Sequence, residues 1–361
     1  MGRGRRRRSQ GRQDTLLQGV LLVDKPAGMT SHDVCRVVRS RLRLGKVGHG
    51  GTLDPFATGL LPLMLNGATR LMPLLQTVEK EYLAVVRLGT RTDTMDPTGE
   101  VTEERPTDGV TDDAIRTAAA GFLGKQTQQV PRYAAARVDG KHLYEYAREG
   151  EEVELPTKEV DIQELEVQGI DRGEHFDIRM RVSCSAGTYV RALADDLGEL
   201  LGCGAHLAEL RRTRTGGHSI VGALGLQSII DQADAWRVER GEAAERGEET
   251  RFEPPEHARR WAEYLGPALV PVHRVLGDIP RLELSPELVA RVEQGQPLRK
   301  GALAPHASEL EAAAFDRGDR LVLAHPDGLR AVALLRAAVS RDSMPRRGPD
   351  DIVLEVERML R

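Results

Sequence analysis

The sequence predicts an α+β protein with a smaller, β-rich unit at its C-terminal end. Length is the first observation: 361 residues exceed one small domain and suit two. Local periodicity is the second. Runs with a helical apolar stripe (31–42, 112–122, 190–201) are interspersed with strand-like runs (19–24, 79–88, 160–184). The third is a change of texture, because short strand-like runs dominate from about Leu282 onward.

Taken in order, residues 1–13 hold Arg3, Arg5, Arg6, Arg7, Arg8 and Arg12 and no acid. A tail of this composition, assigned to 1–15, is expected to be disordered. It serves as an RNA-attracting arm or only as a solubilising tail. Gly19–Asp24 reads as a buried strand, and Lys25–Gly28 as a turn. Thr30 or Ser31 can cap a helix whose apolar face is Val34, Val37, Val38 and Leu42. Its Arg36, Arg39, Arg41 and Arg43 form a phosphate track or a plain solvated face.

Next comes Gly45–Gly59, in which glycines frame the single carboxylate Asp54 and Pro55 follows at once. Pro55 pushes Asp54 out of the helical region, so no regular helix or strand is expected. Such residues make ordinary surface turns. Here, however, the run also gathers Lys46, His49 and Thr52 around Asp54, and chemistry often sits on loops braced by rigid elements. Strand (Leu60–Met64), short helix (Ala68–Leu75) and strand (Glu79–Leu88) follow, with Tyr82 near the start of the last. Gly89–Gly99 reads as turns, Asp112–Phe122 and His142–Arg148 as helices, and 160–184 as strands. The helix after Gly187 buries Val190, Leu193, Ala194, Leu197 and Leu201 and is closed by Gly202. Arg191 falls in its first turn, against the helix dipole, so a nearby carboxylate is expected. Glu239–Glu256, the core of an acidic loop at about 237–258, reads as a solvated linker.

Composition narrows the function classes. The apolar fraction of 40% supports a soluble core. Cys35, Cys184 and Cys203 have no metal-ligand spacing, so no metal is expected and reduced thiols in a cytoplasmic location are. No apolar run is long enough for a bilayer and the charged N-terminus lacks a signal's apolar core, so no membrane partner is expected. Neither a phosphate-binding Walker loop nor a dinucleotide fingerprint is present. Net charge is −4, yet residues 1–80 carry fourteen Lys/Arg against five Asp/Glu. That local balance of +9 leaves −13 for the remainder. A basic part beside an acidic remainder fits phosphate binding by one face.

Gly48-His-Gly-Gly-Thr-Leu-Asp54-Pro-Phe-Ala-Thr-Gly59 resembles the catalytic loop of the TruB family of pseudouridine synthases. Gly50 and Phe56 depart from the family's Thr and Leu, and Gly50 is expected to loosen the loop. Lys25–Ser31, the Lys-Xaa-Tyr82 strand start, Gly187-Thr-Tyr189-Val-Arg191 and Gly204–Thr213 also resemble family segments. Near 126–141 the likeness falters at Arg132, Ala134 and Ala136. Residues 278–361 resemble, more weakly, the RNA-binding PUA domain that ends many members. The likeness implies a catalytic domain over 16–275, with a mixed, largely antiparallel sheet flanked by helices.

The resemblance also implies the reaction: a uridine becomes pseudouridine without a cofactor, at position 55 in the T loop of tRNA. Asp54 would be the nucleophile, Arg191 its partner and Tyr82 the aromatic that stacks on the base. Tyr189 and Leu210 would line the pocket, and His49 would fill the space the flipped base vacates. Lys25, Lys46 and Thr52 would bind substrate. Arg191 is expected to lower the Asp54 pKa and keep it ionised. A monomer acting without guide RNA is expected. The rivals are the archaeal/eukaryotic relative that depends on guide RNA and an RNA-folding factor with incidental catalysis. Lys46-Val-Gly-His, Arg91–Pro97 and Cys184-Ser favour the bacterial type.

Overall fold

The computed structural model describes residues 17–245, 254–275, 280–306, 320–325, 328–335 and 351–359. The tail expected over 1–15 lies outside them. Strands β1 (Gly19–Lys25), β2 (Val47–His49), β3 (Thr58–Leu65) and β4 (Lys80–Leu88) are the N-terminal contributions to the central sheet. A hairpin of β5 (Thr90–Thr92) and β6 (Val101–Glu104) stands apart from it, as does a second, β8 (Arg137–Val138) with β9 (Lys141–His142). The sheet is completed by β7 (Gly124–Gln129), β10 (Thr157–Arg172), β11 (Phe176–Cys184), β12 (Ala205–Thr215), β13 (His218–Ser219), β14 (Leu224–Gly225) and β15 (Leu269–Val270).

Its path runs β14-β1-β3-β12-β4-β11-β10-β7, with β2, β13 and β15 paired at its side. Pairs β1–β14 and β3–β12 are parallel and the other neighbours antiparallel, so the sheet is mixed and largely antiparallel as expected. Helices cover it: α1 (Ser31–Arg41), α2 (Met72–Gln76), α3 (Asp112–Ala120), α4 (Leu143–Glu149), α5 (Val190–Leu200), α6 (Leu226–Glu245), α7 (Pro254–Leu265) and α8 (Val272–Val275). Among the described residues no helix is long and apolar enough to cross a membrane.

Local chemistry explains the elements around the Asp54 loop. Thr30 caps α1: its hydroxyl accepts from the Asp33 amide while the Asp33 carboxylate accepts from the Thr30 amide. The helix buries Val34, Val38 and Leu42 on the main core. Gly59 sits at φ +102° where β3 meets β12, and a Cβ there would lie 2.3 Å from the Arg212 carbonyl oxygen. Only glycine admits that approach.

Three expectations are corrected. The glycine-framed run is not wholly irregular, because Val47–His49 pairs with β3 as a short strand. Gly50 is not loose: it is buried, its amide donates to the Pro62 carbonyl at 2.9 Å, and a Cβ would press on Leu75 at 3.2 Å. The supposed linker at 239–256 is helical at both ends, where α6 continues to Glu245 and α7 starts at Pro254. Alternating Arg and Glu with few apolar residues reads as a solvated linker, but it also suits an exposed helical face.

The C-terminal unit has its own five-stranded sheet of β16 (Arg281–Glu283), β17 (Leu298–Arg299), β18 (Arg320–His325), β19 (Gly328–Leu335) and β20 (Ile352–Met359), in the order β16-β18-β19-β20-β17. A helix, α9 (Pro286–Glu293), adds Leu288, Val289 and Val292 to a core separate from the main one.

Candidate active site

The carboxylate of Asp54 and the guanidinium of Arg191 meet, although 137 positions separate them in the chain. Arg191 Nε lies 2.9 Å from Asp54 Oδ2. The approach is a charge contact rather than an aligned hydrogen bond, since among the described residues Nε has no acceptor in line. Arg191 is held from its far side instead. Its Nη1 donates to the Thr94 carbonyl at 2.8 Å, and its Nη2 to that of Tyr133 at 3.0 Å. Its side chain is 4% exposed, while that of Asp54 is 32% exposed. The carboxylate is thus the reachable end of the pair.

A second acid shares the arginine. Asp96 Oδ2 lies 3.4 Å from Arg191 Nη1, and Asp96 Oδ1 accepts from the Thr94 and Thr98 hydroxyls and the Thr98 amide. Sequence reading passed over Asp96 as part of a turn. The signal available was its place in Asp-Pro-Thr-Gly, two residues after Thr94, where a carboxylate bonds its neighbours' amides and hydroxyls.

Helix α5 presents Arg191 because the peptide of Tyr189 is clamped on both sides. The Gln128 side-chain amide donates to the Tyr189 carbonyl at 3.0 Å, and its oxygen accepts from the Tyr189 amide at 2.8 Å. Gln128 lies on β7 and replaces the side-chain cap that the start of α5 lacks. The Tyr189 ring is half-buried against Val130, Ala134 and Leu143.

Beneath the loop lie two buried cations. Arg212, 1% exposed, donates to the carbonyls of Leu60 (2.7 Å), Thr52 (3.3 Å) and Gly51 (3.2 Å). Lys25, expected to bind substrate, is fully buried. Its ammonium donates to the carbonyls of Pro26, Pro55 and Ala57, so it fastens the loop from below and has no proton left for a phosphate. A turn lysine in sequence looks solvated, and only the loop folding back over it shows otherwise. Ser31 adds a further clamp, exchanging hydrogen bonds with the Leu53 backbone.

The remaining sequence-predicted residues are distributed around this frame. Tyr82 is 8% exposed on β4. Leu210 on β12 lines a cleft of about 560 Å3 that opens beside the loop, with Ala27, Phe56, Thr58 and Pro97. That volume lies within the range of sites for compact organic ligands. Lys46 and Thr52 are exposed. His49 is half-buried, and its Nδ1 has no hydrogen-bond partner among the described residues.

Electrostatics departs from expectation at Asp54. Burial pushes its carboxyl up from the ordinary aspartate value; Arg191 opposes, Asp96 adds to the rise, and Lys25 opposes more weakly. The net direction is upward, because desolvation of the ionised form outweighs the charge contact. Burial likewise pushes the Tyr82 phenol up against the pull of Arg212, so Tyr82 keeps its proton at neutral pH. Burial and the Arg212 charge lower His49, leaving a neutral imidazole. The arrangement offers one accessible carboxylate with a cation behind it, a protonated phenol and an apolar wall. Nucleophilic or general-acid chemistry suits it.

The phosphate track expected on α1 is only partly available. Arg36 pairs with Asp33, and Arg41 Nη1 with Asp234 Oδ1 at 2.5 Å, while Arg43 lies beyond the helix at φ +55°.

Residues 39–190 match the TruB family pseudouridylate synthase (N terminal domain), and 191–276 the tRNA pseudouridylate synthase B C-terminal domain. A protein of Aromatoleum aromaticum named tRNA pseudouridine synthase B is 50% identical over 217 residues, covering 60% of this chain and 69% of its own. A protein of Cupriavidus pinatubonensis with the same name is 40% identical over 90% of this chain and 93% of its own. Among solved structures, a chain of a Cbf5-Nop10-Gar1 complex superposes with TM-score 0.65 at 27% identity, covering 96% of this chain and 86% of that one. A chain of an H/ACA RNP bound to a substrate RNA containing 2'-deoxyuridine gives TM-score 0.64 at 26% identity, with the same two shares.

Proposed function

The chain belongs to the TruB family of pseudouridylate synthases, and on that premise we propose how its own residues carry the reaction. It is an isomerase that converts uridine in tRNA to pseudouridine. The reaction breaks the bond from ribose C1′ to uracil N1 and makes one from C1′ to C5; the proton leaves C5 and N1 gains one.

Asp54 is the nucleophile, attacking ribose C1′ or the uracil ring or assisting a glycal route. Arg191 stands behind it, and Asp96 and the Thr94 and Tyr133 carbonyls hold the guanidinium in place. Tyr82 stacks on the uracil and, as a protonated phenol, can donate a proton. Leu210 and Tyr189 wall the pocket, Lys46 and Thr52 meet the RNA, and His49 occupies the space left by the flipped uridine. The target is uridine 55 of the T loop, acted on without guide RNA or cofactor by a cytoplasmic monomer. The catalytic domain spans 16–275, and 278–361 acts as a PUA-like RNA-binding domain, supported by its separate core and sheet.

The carrying observation is the 2.9 Å Asp54–Arg191 contact, with the carboxylate partly exposed and the arginine buried. The test uses the purified chain alone on a tRNA transcript. Pseudouridine should form at the T-loop uridine, and Asp54→Asn should bind tRNA yet form none. Turnover that requires an added guide RNA would favour the reading suggested by the H/ACA relatives, which share 26–27% identity against 40–50% for those named tRNA pseudouridine synthase B.

A further inference from the structure

Helix α5 carries three charged residues spaced by four positions, Arg191, Asp195 and Glu199, which share one face of the helix. The β5–β6 hairpin lies against that face with charges of opposite sign in matching order. Arg191 meets Asp96, Asp195 meets Arg91, and Glu199 meets Arg91 and Arg105. The first contact is part of the candidate active site. The second is the most closely fitted. Arg91 Nε lies 2.9 Å from Asp195 Oδ1 and its Nη2 2.7 Å from Oδ2, a fork on a carboxylate whose side chain is 8% exposed. The third is solvated, with Glu199 43% exposed, and contributes little.

The middle contact matters because of what the hairpin carries. Strands β5 and β6 form a sheet of their own, so side chains and single backbone bonds set where the hairpin sits. The turn between them supplies the Thr94 carbonyl and the Asp96 carboxylate to Arg191. Arg91 is three residues before Thr94, and Asp195 is one helical turn, about 6 Å, beyond Arg191. The pair therefore joins the same two elements that meet at Arg191. Gly204, at φ +70° between α5 and β12, makes room for it, since a Cβ there would lie 2.8 Å from Arg91 Cγ. On its other side the turn is fastened by the Leu207 amide of β12, which donates to the Met95 carbonyl at 3.0 Å.

We propose that Asp195, through Arg91, is a positioning residue for the reaction, an inference that rests on the roles proposed for Asp54 and Arg191. The buried fork fixes how the hairpin turn registers on α5. That register decides where Thr94 and Asp96 hold the Arg191 guanidinium, and the guanidinium in turn places the Asp54 carboxylate. Without the fork the turn keeps its internal hydrogen bonds, from the Thr92, Thr94 and Thr98 hydroxyls to Asp96, and shifts as a unit along the helix. A displacement of about 1 Å at a reacting group costs about a hundredfold in rate.

Three variants of the full chain test this. Asp195→Asn is nearly isosteric and leaves Arg91 with Glu199 as a partner. Arg91→Lys keeps the charge without the fork, and Arg91→Gln removes both. At saturating tRNA, kcat of Asp195→Asn and of Arg91→Gln should fall about ten- to a hundredfold, with tRNA affinity held within about twofold. Arg91→Lys should recover part of the loss. The double variant Asp195→Asn/Arg91→Gln should be no slower than the slower single one, since both lose the same contact. Asp177→Asn is the comparison: it breaks a similarly bidentate pair with Arg87 across β4 and β11, and should leave kcat unchanged. Hydrogen exchange reads the docking itself. In Asp195→Asn the Leu207 amide should exchange faster relative to the amides of β11, whereas a global loss of stability would speed both alike. Wild-type kcat in Asp195→Asn and Arg91→Gln, an equal loss in Asp177→Asn, or a Leu207 amide that tracks β11 would overturn the proposal. A wild-type chain that makes no pseudouridine from tRNA defeats the catalytic reading instead, and Leu207 exchange then still scores the docking.

Discussion

As the proposed nucleophile, Asp54 has two jobs that oppose each other, to stay accessible and to stay charged. The loop buries it enough to raise its pKa, and Arg191 with Lys25 offsets part of that rise. The acid limb of kcat/KM, which reports the free enzyme, should therefore titrate above the ordinary aspartate value of about 3.9. A limb at or below that value would refute the upward direction. The same shift has a stability consequence. With the folded pKa above the unfolded one, the fold binds the proton more tightly, so this group's stabilisation is present at low pH and is lost as pH rises through the folded value. Asp54→Asn removes the ionisation and leaves Arg191 with Asp96 and its two carbonyl acceptors. Its melting temperature at neutral pH should equal or exceed that of the parent, even as activity disappears. A marked drop in the melting temperature would mean that the contact stabilises the fold on balance.

Elements hold these residues through backbone acceptors more than through side-chain pairs. The loop hangs on Arg212 and Lys25, which satisfy carbonyls a glycine-rich run would otherwise leave unpaired. Arg212→Met removes the donor from the buried Leu60 carbonyl and from the part-buried carbonyls of Thr52 and Gly51, and should cost about 1–3 kcal/mol by urea unfolding. Turnover should fall as well, because Gly51 and Thr52 lie just before Asp54, the proposed nucleophile. At the other end, Gln128→Leu removes both clamps on the Tyr189 peptide. A loss of about 1–2 kcal/mol is expected, the size of a lost helix cap, with the larger effect on kcat, since α5 aims Arg191. Unchanged kcat would mean that α5 is held by its apolar face alone.

Across the whole molecule, charge is segregated: +9 over residues 1–80 against −13 for the rest. Binding of tRNA should weaken linearly in log affinity against log salt, since each phosphate contact releases counterions. A flat response would remove the electrostatic account. The basic part is less free than its sequence suggests, because Lys25 is buried and Arg36 and Arg41 are paired. On the proposed function, RNA contact falls to exposed cations such as Lys46, and the slope should be smaller than a count of basic residues would give.

Strand and helix placement was largely legible, because periods of two and 3.6 and the Thr30 and Gly202 punctuation are local signals. So was the Asp54 loop as a candidate site, since a carboxylate framed by glycines and proline is unusual within a few letters. The need of Arg191 for an acid also followed from its place in a helix's first turn. What chain order could not show is which distant groups converge. Asp96 on Arg191, Gln128 on Tyr189, and Lys25 with Arg212 under the loop are contacts between segments dozens to more than a hundred residues apart. Whether a lysine is a phosphate ligand or a buried brace, and whether desolvation or an ion pair sets a carboxyl's pKa, depends on what surrounds it in three dimensions. Burial is a property of the packed chain, and no single residue carries it in its identity.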